Sequence, residues 1–152
     1  MNRLVIAAAG IIVIALLALG CAASDSDSAS ADTPITKKQF INRANAVCAK
    51  SKKEREAEVD AWEKKAAAGD KEVDFGLALK KVIGPSLRQE AEELEALPPP
   101  AQNAGKYERW IALLLRGSKI LEEEGAKGIE RFRVEEVERR AIALGIKNCA
   151  KL

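Results

Sequence analysis

From Phe40 to Leu144 the large apolar residues fall three and four positions apart, and no stretch alternates with the period of two that a half-buried strand requires. That spacing restricts the chain to helices whose apolar stripes must find one another. Phe40, Ile41, Ala44, Val47 and Cys48 open the pattern, and Val59, Trp62 and Ala66 resume it beyond the polar run Ala49–Glu58. With Thr36 as N-cap, the spacing predicts a first helix over 37–68, thinly packed in its middle. Phe75, Leu79, Val82, Ile83, Leu87, Ala91 and Leu94 define a second over 71–97. Gly84-Pro85 falls inside it, so a kink or a split into two helices is expected there. Leu97-Pro98-Pro99-Pro100 is a firm stop. A third helix follows over 101–124, with Tyr107, Trp110, Ile111, Leu114, Leu115, Ser118 and Leu121 facing inward. The last, over 130–144, carries Val134, Val137, Ala141 and Leu144 and is capped by Gly145. The expected fold is all-α: a roughly four-helix antiparallel bundle with a kinked second helix.

The N-terminus is of another kind. Arg3 is followed by an unbroken apolar run from Leu4 to Leu19 and then by Gly20-Cys21. A basic start, a short apolar core and a small residue before the cut make a secretory signal. The run is about 16 residues, short of the roughly 20 that span a bilayer. Leu17-Ala18-Leu19-Gly20-Cys21 looks like a bacterial lipobox, in which the cysteine takes a diacylglycerol and becomes the new N-terminus; Ala18 and Leu19 depart from its commonest form. Cys21 is therefore the expected lipidation site, with an uncleaved anchor helix as the alternative. Residues 22–34, rich in Ser, Ala and Asp, have too little apolar surface to fold and read as a tether. The expected organisation is a lipoprotein signal peptide over 1–20, a disordered tether over 21–35 and a helical domain over 36–152.

Three cysteines leave Cys48 and Cys149 once Cys21 is lipidated. An even pair in an oxidising, extracytoplasmic setting is expected to form a disulfide, against the alternative of two buried thiols. Closing about 100 residues, the bond would stabilise by about 4 to 5 kcal/mol in the chain-entropy picture. With no histidine in the chain, two thiols are too few for a closed zinc site, and no metal or cofactor is expected.

The layout of lipobox, Ser/Asp-rich tether, Phe40…Ala44…Cys48, central Leu-Pro-Pro, and Leu144-Gly145-Ile146-Lys147-Asn148-Cys149 paired with Ala46-Val47-Cys48 resembles a group of small uncharacterised lipoproteins of actinobacteria-like Gram-positive bacteria. The resemblance covers essentially the whole chain. It implies a helical, surface-anchored domain with a Cys48–Cys149 bond and brings no activity with it.

Chemistry is sparse. The absence of histidine removes His-based triads and carboxylate–histidine di-iron centres, and no phosphate-binding glycine loop, CxxC or EF-hand loop occurs. Glu90, Glu92, Glu93 and Glu95, Glu122–Glu124, and Glu135, Glu136 and Glu138 are interleaved with lysine and arginine and read as solvated faces. So does the basic run Lys50, Lys52, Lys53, Arg55. Trp62 and Trp110 are the candidate ligand-facing residues, and Arg109 and Arg116 flank the second of them. A formal net charge of +2 on 152 residues gives no reason to invoke nucleic acid. The expected function is that of a lipid-anchored extracytoplasmic module at the cell membrane, without catalytic activity, binding an envelope protein, wall polymer or small ligand. A carboxylate-based metal-binding protein or enzyme is the alternative.

Overall fold

The computed structural model describes residues 35–69 and 74–151, all within one compact unit. The expected signal segment, Cys21 and residues 22–34 of the expected tether lie outside the described residues, whereas Ile35, placed at the end of that tether, packs partly buried against the core, because its apolar side chain lies just ahead of the Thr36 cap. The domain is an all-α four-helix bundle, and no strand occurs among the described residues.

Helix α1 spans Lys37–Ala68, about 48 Å at 1.5 Å per residue. Its start is fixed by a capping box: the Thr36 hydroxyl accepts from the Gln39 N–H at 3.2 Å, and Gln39 Oε1 accepts from the Thr36 N–H at 2.9 Å. Phe40, Ala44, Cys48, Ser51 and Arg55 form its buried stripe. The polar middle is therefore packed, with Ser51 and Arg55 extending the apolar stripe at the same four-three spacing.

The second helical region opens at Asp74, whose carboxylate accepts from the Leu77 N–H at 3.0 Å. It comprises α2 (Phe75–Ala78), a π-helical turn (Leu79–Ile83) and α3 (Gly84–Glu95). The expected interruption at Gly84-Pro85 takes the form of this π turn. Gly84 N–H reaches back five residues to the Leu79 carbonyl, while Ala78, Leu79, Ile83 and Gly84 all keep right-handed helical angles. Pro85 has no N–H to give and its ring crowds the preceding turn; widening that turn accommodates both without breaking the helix.

A 3-10 turn, Ala101–Asn103, leads into α4 (Ala104–Glu124). Gly125 follows at φ +62°, where an added Cβ would stand 2.6 Å from the Gly76 carbonyl oxygen, so only glycine suits. The last region differs from expectation. It divides into α5 (Ile129–Phe132) and α6 (Val134–Leu144) at Arg133, which is left-handed at φ 52°. The break lets Phe132 turn inward onto Gly117 of α4. Gly145, at φ 87°, caps α6, and a 3-10 turn, Lys147–Ala150, holds Cys149.

Side-chain pairs set the helix directions. Lys50 meets Glu93 and Arg55 meets Glu90, so α1 and α3 are antiparallel. Gly84 abuts Glu122 while Leu97 lies with Tyr107 and Ile111, so α3 and α4 are antiparallel. Tyr107 pairs with Leu144 and Trp110 with Val137, so α4 and α6 are too. The order is up-down-up-down around a core of Phe40, Leu94, Tyr107, Trp110, Leu114, Val137 and Ile146. Phe40 and Tyr107 pack ring on ring with centroids 4.3 Å apart.

Candidate functional site

The two tryptophans occupy different environments. Trp110 is 0% exposed, and its indole Nε1–H donates to the Val137 carbonyl at 3.2 Å. It is a satisfied core residue that ties α4 to α6. Trp62, near the C-terminal end of α1, is half-buried and lines an open groove of about 800 Å³ against α3 and the π turn. Its Nε1–H is shielded from solvent and has no hydrogen-bond partner. An unmatched donor of this kind costs free energy until an acceptor reaches it. Lys65, Lys81 and Gln89 stand on the groove walls, with Pro85 and Ala61 giving apolar surface. Arg88 is also present, engaged with Glu122 at 3.1 Å. Two cations in no ion pair among the described residues stand there beside the carboxylates of Glu58 and Glu92, and the Gln89 amide already donates to Glu93 Oε1 at 3.1 Å, so the groove suits a polar ligand whose oxygen acceptors meet the two lysines.

A second polar centre lies deeper. Arg55 Nη1 donates to Glu90 Oε2 at 3.2 Å, and both side chains are buried, Glu90 to 1% exposure. Burial pushes the Glu90 carboxyl above the ordinary carboxylate range, and the Arg55 guanidinium opposes the rise. Glu90 Oε1 has no partner. Both residues belong to runs that read as solvated in sequence, and this correction follows from position. Arg55 continues the stripe Ala44, Cys48, Ser51, and Glu90 falls between Leu87 and Leu94, each on the face that meets the other helix.

Cys48 and Cys149 form a disulfide with Cα atoms 5.1 Å apart. Their sulfurs and a Glu90 oxygen lie within 4.8 Å of one another, the one gathering of three metal-capable side chains among the described residues. With the sulfurs bonded to each other, the thiolates that a metal would need are absent. Among the described residues no three acidic side chains come close enough to share an ion. Glu93 is held below the usual carboxylate range by Gln89 and Lys50, and Glu136 likewise by Arg140 and Arg133. Glu124 pairs with Arg131. Arg109 and Arg116 are both exposed; Arg109 shares a small groove with Lys106 and Arg140 that does not include Arg116.

No protein-family profile, curated protein or solved structure matches this chain.

Proposed function

We propose that the protein is a lipid-anchored extracytoplasmic module that works by binding, and that the groove beside Trp62 is where its ligand sits. The observation that carries this reading is the Trp62 indole N–H, shielded and without an acceptor, on a side chain that lines a groove together with Lys65, Lys81, Glu58 and Glu92. The anchor reading rests on the lipobox ending at Cys21 and on a disulfide-bonded bundle, which suits an oxidising compartment. A wall glycan or small envelope ligand with acidic or phosphorylated sugar units fits the groove: a sugar face can lie on the indole while its anionic oxygens meet the lysines. The carboxylate-based alternative has little behind it, since Glu93, Glu122 and Glu136 are each engaged by a different cation on a different surface.

The two tryptophans allow an internally controlled test. In an amide and indole NMR spectrum titrated with glucuronate or glycerol phosphate, the Trp62 indole resonance should move and saturate while that of Trp110, held by Val137, stays in place. If neither probe moves the Trp62 signal, the groove reading fails. Intact mass of the membrane-extracted protein tests the anchor separately. The mass should correspond to residues from Cys21 onward plus a diacylglycerol, and an unmodified full-length mass would replace lipidation with an anchor helix.

A further inference from the structure

We infer that the end of the bundle from which the tether departs is a docking face for anionic lipid headgroups, with the groove between Lys106, Arg109 and Arg140 receiving the headgroup phosphate; the inference rests on the lipid-anchor reading. Three observations place these cations together. The groove, about 160 Å³, is walled by Lys106, Arg109 and Arg140 and floored by Ala143 and Leu144. Its helices meet the start of α1 here: Phe40 packs on Tyr107, and a Cβ on Gly145 would lie 3.1 Å from Ile41. The Arg109 guanidinium folds back toward the first turn of α4, where a Cβ on Gly105 would stand 3.5 Å from its Nη1.

Around this groove the same end of the molecule carries Lys37 and Lys38 in the first turn of α1 and Lys147 and Lys151 at the C-terminal turn, all exposed. The C-terminal turn is held there by Asn148, whose N–H donates to Asn45 Oδ1 at 2.8 Å. None of Lys37, Lys38, Lys106, Arg109, Lys147 and Lys151 makes an ion pair among the described residues. The carboxylates nearby are Glu108, on α4 beside Arg109, the exposed Glu95, which shares a neighbouring groove with Tyr107 and Glu108, and Glu136, which accepts from Arg140 Nε at 3.1 Å. Arg140 thus shapes the groove while Lys106 and Arg109 keep donors to offer. Phosphate oxygens match a guanidinium and an ammonium side by side.

A membrane is favoured over other phosphate-bearing partners by connectivity. Residues 21–34 span at most about 48 Å when extended, so of all parts of the domain a Cys21 lipid holds the end carrying Thr36 and Lys37 most closely to the headgroups. Tethering raises the local lipid concentration, so contacts too weak for free association suffice. Each cation brought to an anionic surface raises partitioning by on the order of fivefold, and salt screens the attraction.

The test uses the mature lipoprotein reconstituted in vesicles of phosphatidylcholine alone or mixed with phosphatidylglycerol, with lysine acylation footprinting read by mass spectrometry. Lys37, Lys106 and Lys147 should be protected in the anionic vesicles only, and Lys119, on the last turns of α4, should label equally in both. Half-molar salt should remove the protection, and Arg109→Gln should weaken it by on the order of fivefold. Equal labelling of Lys106 in the two vesicle types overturns the inference. So does protection in both that is lifted by replacing Asp25, Asp27 and Asp32 with Asn, which would assign the face to the acidic tether. The same spectra report the mass on Cys21, so loss of the anchor reading is seen separately from loss of the docking face.

Discussion

A buried carboxylate whose only charged hydrogen-bond partner is a buried guanidinium makes the Arg55–Glu90 pair the most sensitive point of the interior. Glu90 has a raised folded-state pKa, so its ionisation disfavours folding. Its contribution is most favourable at acid pH and is lost as pH rises through the raised value. Arg55 offsets that loss at neutral pH. Arg55→Met should therefore cost about 3 kcal/mol at pH 7, since removing one partner strands the other's charge. The loss should shrink at pH 4, below the ordinary value of 4.5, where Glu90 of the variant is neutral. Glu93 and Glu136, with lowered pKa values, destabilise both proteins alike on acidification, so the quantity to follow is the difference between them. Adding Glu90→Leu should return the pH 7 stability to within about 1 kcal/mol of the parent, because a well-packed apolar pair replaces a buried ionic one at little cost. Urea denaturation at the two pH values measures all three terms. An equal loss for Arg55→Met at both would mean that packing of its stem, and not charge, is what matters.

At the scale of elements, much of the fold was legible and the exceptions share a cause. The bounds of α1 follow from Thr36 and Gly69, those of α4 from the prolines and Gly125, and the end of α6 from Gly145, because caps and turn residues act locally. The groove at Trp62 was half-legible, since an aromatic on a helix flank shows in the spacing but its neighbours across α3 do not. The break at Arg133 left no mark, as arginine carries no preference for left-handed backbone; the packing of Phe132 imposes it. Phe75 fits the apolar period and is nonetheless 57% exposed, being at the first turn of α2, where the bundle ends. Gly117 makes the same point in energy. On helix propensity alone, Gly117→Ala should stabilise α4 by about 1 kcal/mol. The added Cβ, however, would stand 1.9 Å from the Phe132 ring. The expected outcome is a net loss of about 1 to 3 kcal/mol by thermal denaturation. Adding Phe132→Leu should recover part of it, and a gain in stability from Gly117→Ala alone would show that α5 shifts freely.

For the molecule as a whole, the Cys48–Cys149 bond joins the first helix to the last turn across a sequence separation of 101. Restricting so long a segment of the unfolded chain stabilises the fold by about 4 to 5 kcal/mol in the entropic account. The bond is not the only thing holding that turn. Asn148 Nδ2 donates to the Asn45 carbonyl at 3.1 Å alongside its backbone contact, and Ile146 is 0% exposed in the core. The Cys48→Ala/Cys149→Ala protein should therefore keep its helical circular dichroism at 25 °C while losing about 4 kcal/mol in urea. Removing the Asn45 and Asn148 side chains as well should free the C-terminal turn, seen as rapid amide exchange at Cys149 and Ala150. Burial of both sulfurs, each 1% exposed, adds a kinetic consequence. A dithiol reductant cannot reach the bond until the chain opens, so reduction in native buffer should proceed at the rate of opening and accelerate steeply as urea approaches the unfolding midpoint. Fast reduction without urea would mean that the C-terminal turn lifts off locally, and Asn45→Ala should then hasten it further.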